Sequence, residues 1–207
     1  MTEPNPIAGR NQGDENALAD TTILDGLPLD PRQALAYDEW QRLCADGTPP
    51  LQRDFRPDRI TRALPAAMLL HVERDGASIR LHQKLEGRVA ALAFGESTGG
   101  DIEDIYADSH LDEILPRYLE TAMTGDAAMT RCAAPTRGGD AFEFTRLILP
   151  FRDPEGVVNR LFVVFHFDPV ALARLSGPLR VRREKADEFA VAESAFGERV
   201  LRTRQAS

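Results

Sequence analysis

The stretch 142–167, FEFTRLILPFRDPEGVVNRLFVVFHF, decides the fold of this chain of 207 residues. Two runs rich in aromatic and β-branched residues flank the turn Asp153–Gly156, which has proline at its second position, so we predict two antiparallel strands. Counting back from this turn pairs Phe144 with Phe165. The second run, residues 157–167, is apolar on both faces. We therefore place it at the centre of a sheet that is covered on both sides.

A second hairpin lies further towards the N-terminus. Residues 66–73 and 77–86 flank Asp75-Gly76, the strongest short-range hairpin signal. If these two residues form the loop, Leu70 faces Leu81. One face of the hairpin is then apolar and the other mostly polar, which specifies the register.

Helices are predicted before and between these hairpins. Asp30-Pro31 provides an N-cap followed by proline in the first turn, and Gly47 lies just past the end of a short helix that carries Trp40. A longer helix is predicted from Ser109 to Gly125, followed by a weak strand over 128–134. Most connections are hairpins, so the fold class is α+β with an antiparallel sheet. We expect the Trp40 helix to cover one face of this sheet.

Composition excludes several classes of protein. The net charge of −8 argues against nucleic-acid binding, which requires a basic face. No run approaches the roughly 20 apolar residues of a membrane span, and the N-terminus lacks the features of a secretory signal. Cys44 and Cys132 have no metal-ligand or disulfide-framework spacing and are interpreted as reduced thiols. We expect a cytoplasmic protein.

Several short motifs together resemble a PAS domain, and more narrowly the stand-alone PAS proteins of alphaproteobacteria. The resemblance spans roughly residues 30 to 168. The motifs are the helix with Trp40, then Lys84-Leu85-Glu86-Gly87, Phe94-Gly95, Thr98-Gly99 and Leu149-Pro150-Phe151. The departures from the pattern are Lys84 where arginine is usual, an extra glycine at Gly100, and Ile102 in place of leucine. The resemblance implies five antiparallel strands in the order 2-1-5-4-3, short helices on one face and an N-terminal capping helix.

The chain is accordingly divided into three parts. Residues 1–28 are polar and without periodicity, and we expect a disordered tail. By this resemblance, residues 29–168 are expected to form a PAS domain with its capping helix. Residues 169–207 form a charged C-terminal tail, in which Phe189 to Val200 show helical spacing; a partly helical tail and an unstructured tail are both open.

Two polar residues, Gln83 and Arg146, interrupt otherwise apolar strand faces, and a buried polar group needs a partner. The family resemblance implies a pocket between the sheet and its short helices. The candidate ligand-binding residues are Met68, Leu81, Gln83, Phe94 and Arg146. Arg146 suits an anion, but an internal salt bridge to a helix carboxylate, or exposure at a rim, is the favoured explanation for it. No cofactor can be named.

Two other patterns suggest chemistry that we do not assign. Gly95-Glu96-Ser97-Thr98-Gly99 fits the G-x-S-x-G pattern, but a nucleophile elbow needs a strand before the serine, and an apolar helical segment precedes Ser97. His71 and His82 are expected to be diagonal neighbours on one sheet face, without the third ligand that a metal site usually needs. We predict neither an enzyme nor a metal site.

The favoured function is a regulatory PAS sensor or adaptor that acts by protein–protein interaction. Its expected partner is a signalling protein such as a kinase, with or without a small ligand in the pocket. The first alternative is a structural interaction module without a ligand, and a small hydrolase using Ser97 ranks below it. Trp40 and Leu43 are the candidate interface residues, and the sequence leaves open whether the chain forms a homodimer through their helix.

Overall fold

The computed structural model describes residues 23–45, 47–76 and 78–181, which form a five-stranded antiparallel sheet with helices on both faces. The strands are β1 (Ile23–Leu24), β2 (Leu27–Pro28), β3 (Ala67–Asp75), β4 (Ser78–Glu86), β5 (Ala128–Pro135), β6 (Ala141–Arg152) and β7 (Val158–Phe167). The α-helices are α1 (Pro31–Leu43), α2 (Arg88–Phe94), α3 (Ile102–Ile105), α4 (Asp108–Thr124) and α5 (Pro169–Ala173).

The main sheet has the order β4-β3-β7-β6-β5, and every neighbouring pair is antiparallel. Counted within the sheet, this is the predicted order 2-1-5-4-3. β7 is the central strand, and its residues contribute to apolar clusters on both faces of the sheet. The prediction from its doubly apolar sequence is confirmed.

The register of the first hairpin differs from the prediction by two residues. Asp75 still belongs to the strand and pairs with Ser78, so the turn begins one residue later, at Gly76 with its positive φ of 59°. Leu70 consequently faces Gln83. From Leu70 to Asp75 this shift of two residues leaves the side chains on their predicted faces, because strand side chains alternate with a period of two.

The β6–β7 register is also shifted by two residues. The turn extends to Val157, whose carbonyl oxygen accepts a hydrogen bond from the Asp153 backbone (2.9 Å). A β-bulge then follows at Phe151/Arg152. An extra loop residue and an extra bulge residue together account for the difference.

Helix α1 covers the outer face of the sheet, as predicted. Asp30 caps it by accepting a hydrogen bond from the Arg32 backbone (2.8 Å). Buried Gln33 donates from Nε2 to the carbonyl oxygen of Val164 on β7 (3.1 Å). The indole Nε1 of Trp40 donates to the Pro150 carbonyl oxygen on β6 (2.7 Å). These bonds fix the helix across the two strands.

The inner face is covered by α2, α3 and α4, which bury the larger of the two apolar clusters. Gly87 allows β4 to run into α2, because a Cβ at this position would collide with the carbonyl oxygen of Leu64. Gly125 ends α4 in a left-handed conformation (φ 78°). The candidate site lies within this inner cluster.

Ordered structure continues on both sides of the predicted PAS unit, residues 29–168. Most of the predicted N-terminal tail lies outside the described residues, but residues 23–28 form the β1–β2 hairpin, and Asp25 accepts a hydrogen bond from the Met129 backbone (2.9 Å). At the other end, Leu179 and Val181 are buried in the inner cluster. The predicted helix over 189–200 lies outside the described residues. No helix in the described ranges is long and apolar enough to cross a membrane.

Candidate functional site

A buried arginine interrupts the apolar inner face of the sheet. Arg146 lies on β6 between Thr130 on β5 and Phe165 on β7, and only 2% of it is exposed. Its Nε donates to the Thr130 hydroxyl (2.8 Å), and its Nη2 donates to the Ile114 carbonyl oxygen on α4 (3.3 Å). Its Cζ lies 4.5 Å from the centre of the Tyr118 ring, a cation–π distance. Neutral groups from β5 and α4 therefore hold the guanidinium in place.

No carboxylate balances this charge in the described part of the chain. None of the ion pairs found there involves Arg146, so neither the predicted salt bridge to a helix carboxylate nor exposure at a rim accounts for it. A charge moved from water into a protein interior is costly unless an opposite charge accompanies it. The burial of the Arg146 charge without a paired carboxylate therefore requires a structural explanation.

A small cavity lies beside the guanidinium. Its volume is about 10 Å³, which is room for about one water molecule. Phe94 on α2 forms one wall, with its ring centre 5.3 Å from that of Phe144 and 5.0 Å from that of Phe165. The full lining consists of Phe94, Tyr106, His110, Ile114, Tyr118, Phe144, Arg146 and Phe165. The cavity is thus mainly aromatic, with one permanently charged group.

The histidine of the cavity is neutral at pH 7. Burial, followed by the positive charge of Arg146, lowers the pKa of His110 from 6.5 to about 4. Burial also raises the pKa of Tyr118, against a smaller opposing effect of Arg146. Neither side chain therefore adds a charge to the cavity at pH 7. The site carries the single positive charge of Arg146.

The cavity wall is tied to the end of the described chain. The C-terminal segment, residues 174–181, crosses the helical layer. The Leu179 backbone donates to the Ala93 carbonyl oxygen (2.7 Å), and the Ala107 backbone donates to the Val181 carbonyl oxygen (3.0 Å). Ala93 and Ala107 each adjoin, in sequence, an aromatic residue of the cavity wall. Two hydrogen bonds that hold the segment therefore lie next to the cavity wall.

The structure brings together two of the five candidate ligand residues, Phe94 and Arg146, which line the cavity. Met68 and Leu81 are buried in the same inner cluster but do not line it, and neither does Gln83. Gln83 lies on the edge strand β4, three strands from β6. The position of that strand in the sheet explains the separation.

Sequence reasoning missed His110, although a signal for it was present. His110, Ile114 and Tyr118 follow one another at intervals of four residues, so they share one face of α4. Thr130 was missed because its strand is weak in sequence and its register against β6 could not be deduced. The observed register places it directly opposite Arg146.

Gln83 is itself unusual, because it is fully buried and no hydrogen-bond partner lies near either side-chain polar atom among the described residues. Its backbone is satisfied: the N–H donates to Gly100 (2.9 Å) and the carbonyl oxygen accepts from Gly99 (2.7 Å). The loop between α2 and α3, which contains Gly99 and Gly100, thereby covers the edge of β4. An unpaired buried amide destabilises the fold.

We expect Gln83→Leu to raise the free energy of unfolding by about 1 to 2 kcal/mol, because it removes the unpaired amide. Urea unfolding monitored by circular dichroism measures this change. Gln33→Leu is the matched control: it removes an amide that is bonded to Val164, so stability should fall. A loss of stability in Gln83→Leu would show that the Gln83 side chain has a partner.

The two candidate interface residues lie on α1. Trp40 packs against the outer apolar cluster of the chain's own sheet and is half-buried. Leu43 is half-buried at the end of the helix and is not part of that cluster. Trp40 therefore serves the fold directly, and Leu43 is the more available for contact with another molecule.

Ser97 and the two histidines of the first hairpin each have a neighbour in the structure. Ser97 follows helix α2 and donates its hydroxyl hydrogen bond to Glu86 (3.2 Å). His71 directly faces His82, rather than lying diagonal to it, because of the register shift. His82 contacts the Asp101 carboxylate at 2.7 Å. In the described ranges, no three potential metal ligands form a group.

Comparison with known proteins gives a family match. The family model described as "PAS domain" matches residues 30–165. None of the curated proteins matches the sequence. Distant structural likenesses include the blue-light photoreceptor Aureochrome1 LOV domain in its light state, with 13% identity over 55% of this chain and 90% of that chain, at a TM-score of 0.36.

Two further solved structures resemble this chain. An RNA-binding Light-Oxygen-Voltage receptor has 17% identity over 63% of this chain and 39% of that chain, with a TM-score of 0.40. A sensory box histidine kinase/response regulator from Burkholderia thailandensis E264 has 10% identity over 54% of this chain and 84% of that chain, with a TM-score of 0.33.

Proposed function

Because the chain belongs to the PAS domain family, which serves sensing in signal transduction, we propose that it is a cytoplasmic sensor that acts by binding another protein. The partner is a signalling protein such as a kinase. The described residues form one PAS unit, so within this part of the chain a signal can only leave through a surface that a partner contacts. The proposal includes no reaction, since Ser97 follows a helix and its hydroxyl is bonded to Glu86.

The buried cavity at Arg146 is the observation that supports a ligand-controlled sensor. A sensor needs a site where a small molecule changes the packing of the core, and ligand sites are concave and mainly apolar with a few polar groups that fix orientation. The aromatic wall with one guanidinium fits this description. The C-terminal segment supplies the output, because two of its hydrogen bonds end at residues that adjoin the wall, Ala93 and Ala107.

A structural interaction module without a ligand is the second candidate. The small size of the cavity favours this candidate, because a volume of about 10 Å³ leaves the core nearly filled. Under this alternative, the chain binds its partner in one fixed conformation.

We also propose that α1 is the contact for a second copy of the chain, with Leu43 as the residue that such a contact covers. Sedimentation of the full chain measures whether that dimer forms.

Amide hydrogen exchange of the full chain distinguishes the two candidates. Freshly purified protein is compared with the same protein after unfolding, dialysis and refolding, which strip any bound small molecule. A ligand-controlled sensor should show a difference of roughly tenfold or more in exchange at the amides of Ala107, Leu179 and Arg180, which hold the C-terminal segment. Helix α1, on the other sheet face, is the internal control. Identical exchange in both preparations would support the ligand-free module.

A further inference from the structure

We infer that the cavity beside Arg146 binds a small organic monocarboxylate. The inference rests on the proposed sensor function, because it names the ligand class of that same site. It depends on three features of the site: the unbalanced charge of the guanidinium, the aromatic wall, and the attachment of that wall to the C-terminal segment.

The charge of the site selects an anion with one negative charge. Arg146 is the only permanently charged residue in the lining, and no carboxylate pairs with it in the described part of the chain. His110 faces it as a neutral imidazole at pH 7. One positive charge is balanced by one negative charge, and a doubly charged anion would leave a buried excess. A planar guanidinium also matches the geometry of a carboxylate group.

The rest of the lining selects a ligand with an apolar portion. Phe94, Phe144 and Phe165 present ring surfaces to the cavity and pack around one another at centre distances of 5.0 to 6.1 Å. These three rings give no hydrogen-bond donors to the remaining oxygens of an inorganic anion. It does favour a short hydrocarbon chain, which gains about 0.8 kcal/mol per buried CH₂. A short-chain carboxylic acid combines both requirements.

The cavity must widen to admit such a ligand, because its volume is about 10 Å³. Tyr106 and His110 form the part of the lining where α3 ends and α4 begins, with ring centres 5.5 Å apart. Between them lies Ala107, whose backbone donates to Val181. Movement of these two side chains therefore strains the bond that holds the C-terminal segment. Ligand entry and release of the segment are thereby linked.

A titration followed by nuclear magnetic resonance tests the inference on the full chain. Formate, acetate, propionate and butyrate are the probes, with propionamide and butanol as neutral analogues and nitrate as an inorganic anion. We expect saturable shifts of the Arg146 Nε–H and of the backbone amides of Phe94, Tyr106 and His110 with propionate and butyrate. The neutral analogues and nitrate should bind at least about tenfold more weakly, as judged by the concentration at which the shifts reach half their maximum. Each tenfold step in affinity is about 1.4 kcal/mol of binding free energy.

Four variants separate ligand binding from folding. Arg146→Met should abolish the response to propionate, and Arg160→Met, the same substitution on the outer face of the sheet, should retain it. Thr130→Val keeps the charge but removes the hydroxyl that orients Arg146, so it should weaken propionate binding. This variant tests the site independently of whether Arg146→Met folds. Arg146→Lys should bind more weakly than the wild type, because an ammonium lacks the planar fork.

The outcomes that overturn the inference are specific. Equal binding of butanol and butyrate, unchanged in Thr130→Val, would make the site an apolar pocket, and the proposed sensor function would survive. Equal binding of nitrate and butyrate would remove the organic part of the ligand. A lack of response to every probe would reject the carboxylate. If hydrogen exchange also remained identical in fresh and refolded protein, the sensor function itself would fail.

Discussion

Replacing Trp40 with alanine is expected to lower the free energy of unfolding by about 3 kcal/mol. The indole packs against the outer apolar cluster, and its Nε1 donates to the Pro150 carbonyl oxygen at 2.7 Å. The variant loses apolar contact and also leaves that carbonyl oxygen without its donor. Denaturant unfolding of both proteins, monitored by circular dichroism, gives the difference.

Two controls define the role of the tryptophan. Trp40→Phe keeps most of the ring contact but loses the hydrogen bond, so about 1 kcal/mol should be lost. Leu92→Ala removes a large apolar side chain that is 59% exposed, and its effect should stay within about 0.5 kcal/mol. If Trp40→Ala had no larger effect than Leu92→Ala, α1 would not be the cover of the sheet that the structure describes.

The sequence predicted the arrangement of strands better than their register. The apolar residues on both faces of the last strand could only be buried at the centre of a covered sheet, so the position of β7 followed from composition. The registers of both hairpins depended on how the chain turns at Gly76 and at Val157. A turn that begins one residue later, or a bulge, costs little energy and leaves no strong signal in sequence.

The candidate site was predictable in part for a similar reason. Arg146 stood out as a polar residue on an apolar strand face, and Phe94 lies on a helix that packs on the same face. His110 and Tyr106 belong to the junction of α3 and α4, and their place in the cavity lining beside Arg146 depends on how these helices lie over the sheet. Periodicity within one element does not specify that packing. Gln83 showed the same pattern as Arg146, but it lies on an edge strand.

Replacing Arg146 with methionine is expected to raise the free energy of unfolding of ligand-free protein by about 2 kcal/mol. The two side chains have similar lengths, and methionine adapts to irregular spaces. The substitution removes a buried charge that no carboxylate balances in the described part of the chain. Its two hydrogen bonds and its contact with Tyr118 offset only part of the cost of burying that charge. Thermal and urea unfolding measure the change.

With ligand present, the wild type should become more stable than Arg146→Met. Saturating propionate should stabilise the wild type through its binding free energy and leave Arg146→Met unaffected. Arg160→Met provides the matched control, because it removes a half-buried arginine from the opposite face of the sheet. A clear loss of stability in Arg146→Met without ligand would mean that the guanidinium serves the fold itself.

The most direct measurement of the central claim is a high-resolution crystal structure of the full chain, purified without denaturation. The account predicts electron density for a small acid whose carboxylate oxygens lie about 2.8 Å from the guanidinium nitrogens of Arg146. Tyr106 and His110 should be displaced to make room for it. A structure in which a carboxylate of the chain itself pairs with Arg146, and side chains fill the cavity, would contradict the account.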